Sequence, residues 1–362
     1  MGNIKLRAGM IIVALTINFA LSYAQDLQTA RMLTRSERFE EAETAYKSIL
    51  QKESNNADAY FYYGQSSVKQ YLADTFSISK VEVVKVATDL FKKGVAVDTN
   101  NALNYVGLGI VELLKNGDTT KADIWFNKAN NKVPAKASKC VEKDVKVLIT
   151  LGTAQIYGKN KRIKKALAYL EKAKEASFDK KTGVGKNAEV FLAIGDVCLV
   201  DKNTNEAIKN YRSAVSIDSK MAEAQIRIGY LYLGAKNPTQ ARAAFLEAKD
   251  IDSTFAPVYR GLGEVYTAAR QYKYAKENYR KFLQLSGDNA PAKVSYAASL
   301  FKSQEYDEAI TVIEEVLAVD NSRNYLNRLG AYSCYERRVD KGVDKTPDYE
   351  KGLKFSETFF SK

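Results

Sequence analysis

Residues 188–219 read AEVFLAIGDVCLVDKNTNEAIKNYRSAVSIDS, and residues 222–253 read AEAQIRIGYLYLGAKNPTQARAAFLEAKDIDS; the second stretch follows the first at a distance of 34 residues. Gly195, Gly229, Gly263, Ala297 and Ala331 form one column at that spacing. A second column holds Ala207, Ala241, Ala275 and Ala309, a third Tyr211, Phe245, Tyr279 and Ile313, and a fourth Ala214, Ala248, Phe282 and Val316. Small residues at fixed places let helix backbones approach closely, and a large apolar residue fills the gap that remains. Such a unit is a helix–turn–helix that cannot bury its apolar face alone, so it stacks on copies of itself. Ile217-Asp218-Ser219, Ile251-Asp252-Ser253 and Val319-Asp320-Asn321 each end a second helix with a turn-forming, capping polar pair. Pro257, Pro291 and Pro238 then fall in the first turn of a helix, where a missing N–H costs nothing.

At these columns the chain resembles the tetratricopeptide-repeat family. The resemblance implies an all-α fold, a right-handed α-solenoid of stacked helix–turn–helix repeats, and a mode of action that is binding. The same columns, with disturbed spacing, run through the first half. Ala42, Tyr46 and Ile49 fit a first pair; Tyr60, Tyr63 and Gly64 open a second that resumes at Ala87, Phe91 and Gly94 after an insertion of about eleven residues. Tyr105, Leu108, Gly109, Ala122, Phe126 and Ala129 make a third, and Leu148, Leu151, Gly152, Ala166, Leu170 and Ala173 a fourth. A ninth begins at Tyr325. The expected organisation is a superhelix over 25–362: irregular repeats at 25–187, regular ones at 188–323 and a final atypical pair at 324–362.

Residues 1–24 read differently. Lys5 and Arg7 precede an uncharged apolar run from Ala8 to Ala20, and Ser22-Tyr23-Ala24 puts small residues where a signal peptidase reads. This predicts a signal peptide cleaved after Ala24; the segment resembles Gram-negative signal peptides, which implies a periplasmic destination. The alternative is an uncleaved anchor in the inner membrane, which Thr16, Asn18 and Ser22 weaken.

Catalysis lacks its ingredients. The chain has no histidine, hence no usual general base and not the commonest metal ligand. Cys140, Cys198 and Cys334 are scattered without the spacing of a zinc site. Cys198 and Cys334 share a repeat column that faces the core; Cys140 has no place in the period. Gly183-Val184-Gly185-Lys186-Asn187 lacks the spacing and hydroxyl of a phosphate loop. The expectation is a non-enzymatic protein with no cofactor and no metal. The net charge is +12, and its excess gathers near 159–165 (Lys159, Lys161, Arg162, Lys164, Lys165) and 180–186 (Lys180, Lys181, Lys186). These loops are either solvated or meet an anionic partner. An exported chain is not expected to bind nucleic acid.

The resemblance also implies which places of each repeat line a concave groove: the second, fifth, ninth, twelfth and thirteenth. Fifth and ninth places give Leu192 and Asp196, Ile226 and Tyr230, Arg260 and Glu264, Val294 and Ala298, and Arg328 and Tyr332. The Lys and Asn set with which some relatives hold a terminal carboxylate is missing. The implied partner is a protein or peptide segment from the cell envelope, held by a scaffold or adaptor. The alternative is a structural subunit of an envelope complex, buried by partners and without a discrete peptide groove. Leu353, Phe355, Phe359 and Phe360 crowd the last helix, which predicts association through the C-terminal end.

Overall fold

Local chemistry sets the helix boundaries. The side-chain oxygens of Asn203, Asn237 and Asn289 accept from the backbone N–H groups of Glu206 (3.3 Å), Gln240 (3.2 Å) and Ala292 (2.9 Å). Each satisfies a donor that the first helical turn leaves without a partner. The first helices of the four regular repeats are followed by a residue with left-handed backbone: Lys202, Lys236, Arg270 and Gln304, with φ of +61°, +57°, +57° and +64°. The N–H one residue later returns to a carbonyl five residues back, as from Asn203 to Cys198 and from Asn237 to Tyr232, both at 2.9 Å. That is the two-bond cap usually closed by glycine. Here it recurs every 34 residues without glycine, and the cationic members sit favourably at a helix C-terminus.

The computed structural model describes residues 26–75, 78–157, 161–178, 186–287, 289–319, 324–341 and 346–360. The 1–24 segment read as an export signal lies outside them. The first pair comprises α1 (26–35) and α2 (Phe39–Lys52), the second α3 (Ala57–Ala73) and α4 (Lys80–Val97). The third is α5 (Ala102–Asn116) with α6 (Thr119–Asn130); a short 3-10 turn at Ala137–Lys139 precedes α7 (Glu142–Ala154) and α8 (Ile163–Ala176). Then come α9 (Ala188–Val200) and α10 (Thr204–Ile217), α11 (Ala222–Gly234) and α12 (Pro238–Ile251), α13 (Ala256–Ala268) and α14 (Tyr272–Ser286). Last are α15 (Ala290–Lys302) and α16 (Tyr306–Val319), then α17 (Asn324–Lys341) and α18 (Thr346–Phe360). Among the described residues the fold is thus an all-α solenoid of nine helix pairs, as the period predicts.

The small and large columns meet inside each pair. A Cβ built on Gly195 would lie 2.4 Å from the Tyr211 ring, one on Gly229 2.7 Å from Phe245, and one on Gly263 2.8 Å from Tyr279. Gly109 and Phe126 repeat the arrangement at 2.3 Å, and Gly330 and Phe355 at 2.9 Å. The aromatic of the second helix lies directly on the first helix's backbone, so any side chain at the glycine would displace it.

Odd-numbered helices form the inner layer: α3 touches α5, α5 touches α7, α7 touches α9, α11 touches α13 and α15 touches α17. The stack also closes on itself. Glu37, in the left-handed turn between α1 and α2 (φ +57°), accepts from both terminal nitrogens of Arg260 on α13 at 2.6 and 2.9 Å. Arg35 pairs with Glu189 on α9 and lies 3.8 Å from Glu223 on α11. Asp74, just past α3, accepts from the N–H of Ala290 at 2.9 Å, which places a carboxylate at the N-terminus of α15.

Candidate functional site

The groove residues named from the repeat columns divide into two environments. Asp196 accepts from the Tyr211 hydroxyl (2.8 Å) and from Nε of Arg227 (2.9 Å). Leu192 is half-buried against the core and Ile226 is buried. Tyr230 packs edge-on to Phe245, accepts from Nε of Arg260 at 3.2 Å and donates to Glu264 at 3.5 Å. Arg260 also lies over the Phe282 ring at 5.2 Å. Burial pushes the Tyr230 phenol up to about 12, and it also raises the Glu264 carboxyl against the pull of Arg260. These six positions belong to the inner side of the closed stack. Three of them, Tyr230, Arg260 and Glu264, form one hydrogen-bonded chain that ends on Glu37.

Arg328 and Tyr332 differ. Both are exposed on α17, Tyr332 at 54% of its surface, beside Tyr325 at 48% and Tyr335 at 58%. They stand at i, i+3, i+7 and i+10, so they make one stripe on one helix face. These are the second, fifth, ninth and twelfth places of the last repeat. The Arg328 guanidinium lies 6.0 Å from the Tyr325 ring centre.

Charge at the closure explains why the inner columns are occupied. Burial alone would raise the Glu189 carboxyl, yet Arg35, by charge and hydrogen bond, and then Arg31 hold it below the ordinary carboxylate range. A carboxylate depressed by folding stabilises the fold above its unfolded pKa and loses that contribution as pH falls through its folded pKa. The contribution is therefore complete near neutrality and fades below about pH 4. Glu264 has the opposite sign: its raised carboxyl makes ionisation a cost that acid relieves. Glu189→Gln should flatten the acid limb of unfolding free energy measured by urea titration between about pH 5 and pH 3. An unchanged slope would remove the Arg35–Glu189 pair from the closure.

Of the basic loops, Arg162 and Lys165 both bind Asp123 (2.7 and 2.8 Å), and Lys161 donates to the carbonyl of Ile156. Lys164 is exposed; Lys159, Lys180 and Lys181 lie outside the described residues. Cys198 and Cys334 are buried and Cys140 is half-buried. Among the described residues no three His, Cys, Asp or Glu side chains are grouped to hold a metal, and no helix is long and apolar enough to cross a membrane. On α18, Phe355 is buried over Gly330, Phe359 is half-buried and Leu353 is exposed; the Phe360 side chain lies outside the described residues.

Sequence reading missed the other half of the closure, Arg31, Arg35, Glu37, Asp74 and Glu189. The available signal was charge at groove columns of the middle repeats: Glu189 and Glu223 at second places and Arg260 at a fifth place need counter-charges. Nothing in a periodic pattern locates those counter-charges in the first repeats.

Tetratricopeptide-repeat family models match residues 151–180, 192–254 and 266–331, so these repeats are present there. No curated protein matches the chain. Among solved structures the chain is similar to a MamA protein, at 16% identity over 49% of this chain and 92% of that one, with a TM-score of 0.43. It is also similar to the APC/C hetero-tetramer Cut9–Hcn1, at 17% identity over 85% of this chain and 55% of that one, with a TM-score of 0.48.

Proposed function

We propose that the chain is an exported, non-enzymatic scaffold that holds a segment of another cell-envelope protein against the last inner helix. The observation that carries this reading is the exposed stripe of Tyr325, Arg328, Tyr332 and Tyr335 on α17. Tyrosine and arginine are the residues that dominate binding energy at protein interfaces, because they bring large rigid area and directional donors together. In the middle repeats Arg35 and Glu37 of the first repeat engage Glu189, Glu223 and Arg260, whereas the α17 stripe is exposed and can receive a partner. A preformed helical surface binds with little ordering cost of its own. The absence of histidine from the sequence supports binding rather than catalysis, and the signal-like start at 1–24 supports the periplasm. Intact mass of the mature protein should then begin at Gln25.

A photo-cross-linking residue at 332 should trap one envelope protein, identified by mass spectrometry. Arg328→Ala with Tyr332→Ala should weaken that complex by about 2 kcal/mol or more, roughly thirtyfold in Kd. Thermal unfolding should stay unchanged, since both side chains face solvent. Equal capture by the double variant would move the binding face elsewhere.

A further inference from the structure

A chamber of about 410 Å³ lies between α1, α3, α7, α9 and α11, on the inner side of the closure. A second space of about 490 Å³ shares Arg35, Lys69, Tyr157, Glu223 and Arg227 with it, so the two are continuous. Their size is that of a small-molecule site. Its charges do not balance. Three carboxylates enter the first lobe, and each is engaged: Asp196 by Arg227 at 2.9 Å, Glu189 by Arg35 and Arg31, and Glu223 by Arg35 at 3.8 Å. Lys69 lines both lobes, and among the described residues it makes no ion pair and no hydrogen bond. Lys146 and Lys161 also line it, but Lys146 is paired with Glu142 at 2.8 Å and Lys161 donates to the Ile156 carbonyl, which leaves Lys69 as the unmatched charge among the described lining residues.

An ammonium set into the interior without a counter-ion is costly unless something supplies the missing charge. Burial, only partly countered by Glu223 and reinforced by Arg35, Arg227 and Arg31, favours the neutral form of Lys69. The site therefore has a deficit of one kind only. Guanidinium forks match carboxylate and phosphate oxygens in pairs, and an ammonium adds a compact point charge. Tyr62 and Tyr157 complete the wall with phenols that burial keeps protonated. We propose that this chamber is a binding site for a small organic anion, whose carboxylate or phosphate oxygens are held by Lys69 with Arg31, Arg35 and Arg227 around it. This site is separate from the α17 stripe and stands or falls without it.

Isothermal titration and thermal unfolding of the full mature chain test it, with citrate as the carboxylate probe and glycerol 3-phosphate as the phosphate probe. Glycerol and sodium chloride at matched ionic strength are the controls. One probe or both should bind at one site per chain with a Kd below about 1 mM and raise the melting temperature; which one does so identifies the oxyanion. Lys69→Met should weaken that binding at least about tenfold and, without ligand, melt above the wild type because an unmatched charge is gone. Lys69→Gln provides the same reading should the methionine variant not fold. Lys164→Met, on the exposed face of α8, should bind as the wild type does. The proposal is overturned if neither probe binds, if binding survives at Lys69→Met and Lys69→Gln, or if Lys164→Met abolishes it.

Discussion

Phe245→Ala is expected to lower the unfolding free energy by about 3–5 kcal/mol, the cost of emptying a large buried aromatic site. The ring is fully buried, and it lies against two glycines at once. Gly229 belongs to its own repeat and Gly261 to the next; a Cβ on either would stand 2.7 or 2.4 Å away. One substitution therefore empties both an intra-repeat and an inter-repeat contact, the two terms that sum to stability in a solenoid. Urea denaturation read by circular dichroism measures the loss. A loss below about 1.5 kcal/mol would mean that α11 and α13 collapse into the gap. The same contact explains a pairing within the columns: glycine accompanies an aromatic at 195/211, 229/245 and 263/279, whereas Ala297 accompanies Ile313. Gly229→Ala should consequently be harmful alone and partly rescued by Phe245→Ile, with a coupling of about 0.5–3 kcal/mol in a double-mutant cycle.

Arg260→Ala should cost about 2–3 kcal/mol and open the closed stack. It removes a two-pronged bond and leaves Glu37 and Tyr230 without their shared donor. Breaking a fully buried pair costs more, about 3–5 kcal/mol; the side chains here keep 26% and 18% of their surface, which reduces the effect. Arg260→Glu should go further by setting a second carboxylate against Glu37, and adding Glu37→Arg should restore much of the loss. Small-angle scattering gives the direct readout, since an opened stack has a larger radius of gyration. A radius unchanged in Arg260→Glu would show that Asp74 and Arg35 hold the closure without this pair.

The groove assignment illustrates where sequence reading stops. Tyr230 and Arg260 stand in columns that the family resemblance assigns to a partner groove, and in the structure both line a space beside Glu37. An inward position offers a partner its polar groups only if nothing else engages them, and Glu37 of the first repeat already engages Arg260. On α17 Arg328 and Tyr332, in the same columns, are exposed. Lys69 carries no motif at all; its interest arises because three neighbouring carboxylates are already taken by arginines.

Helix pairs, their caps and the glycine-on-aromatic contacts depend on residues at most a few turns or one repeat apart. Such information recurs every 34 residues, and a single chain displays it several times over. The closure depends on Glu37 meeting Arg260 across 223 residues and on Asp74 meeting Ala290 across 216. Small rotations from one repeat to the next accumulate over the stack, and the insertions in the first half change them. Whether the two ends of such a path meet, and which charges then face each other around a chamber, is a property of that accumulated geometry, and only the tertiary structure contains it.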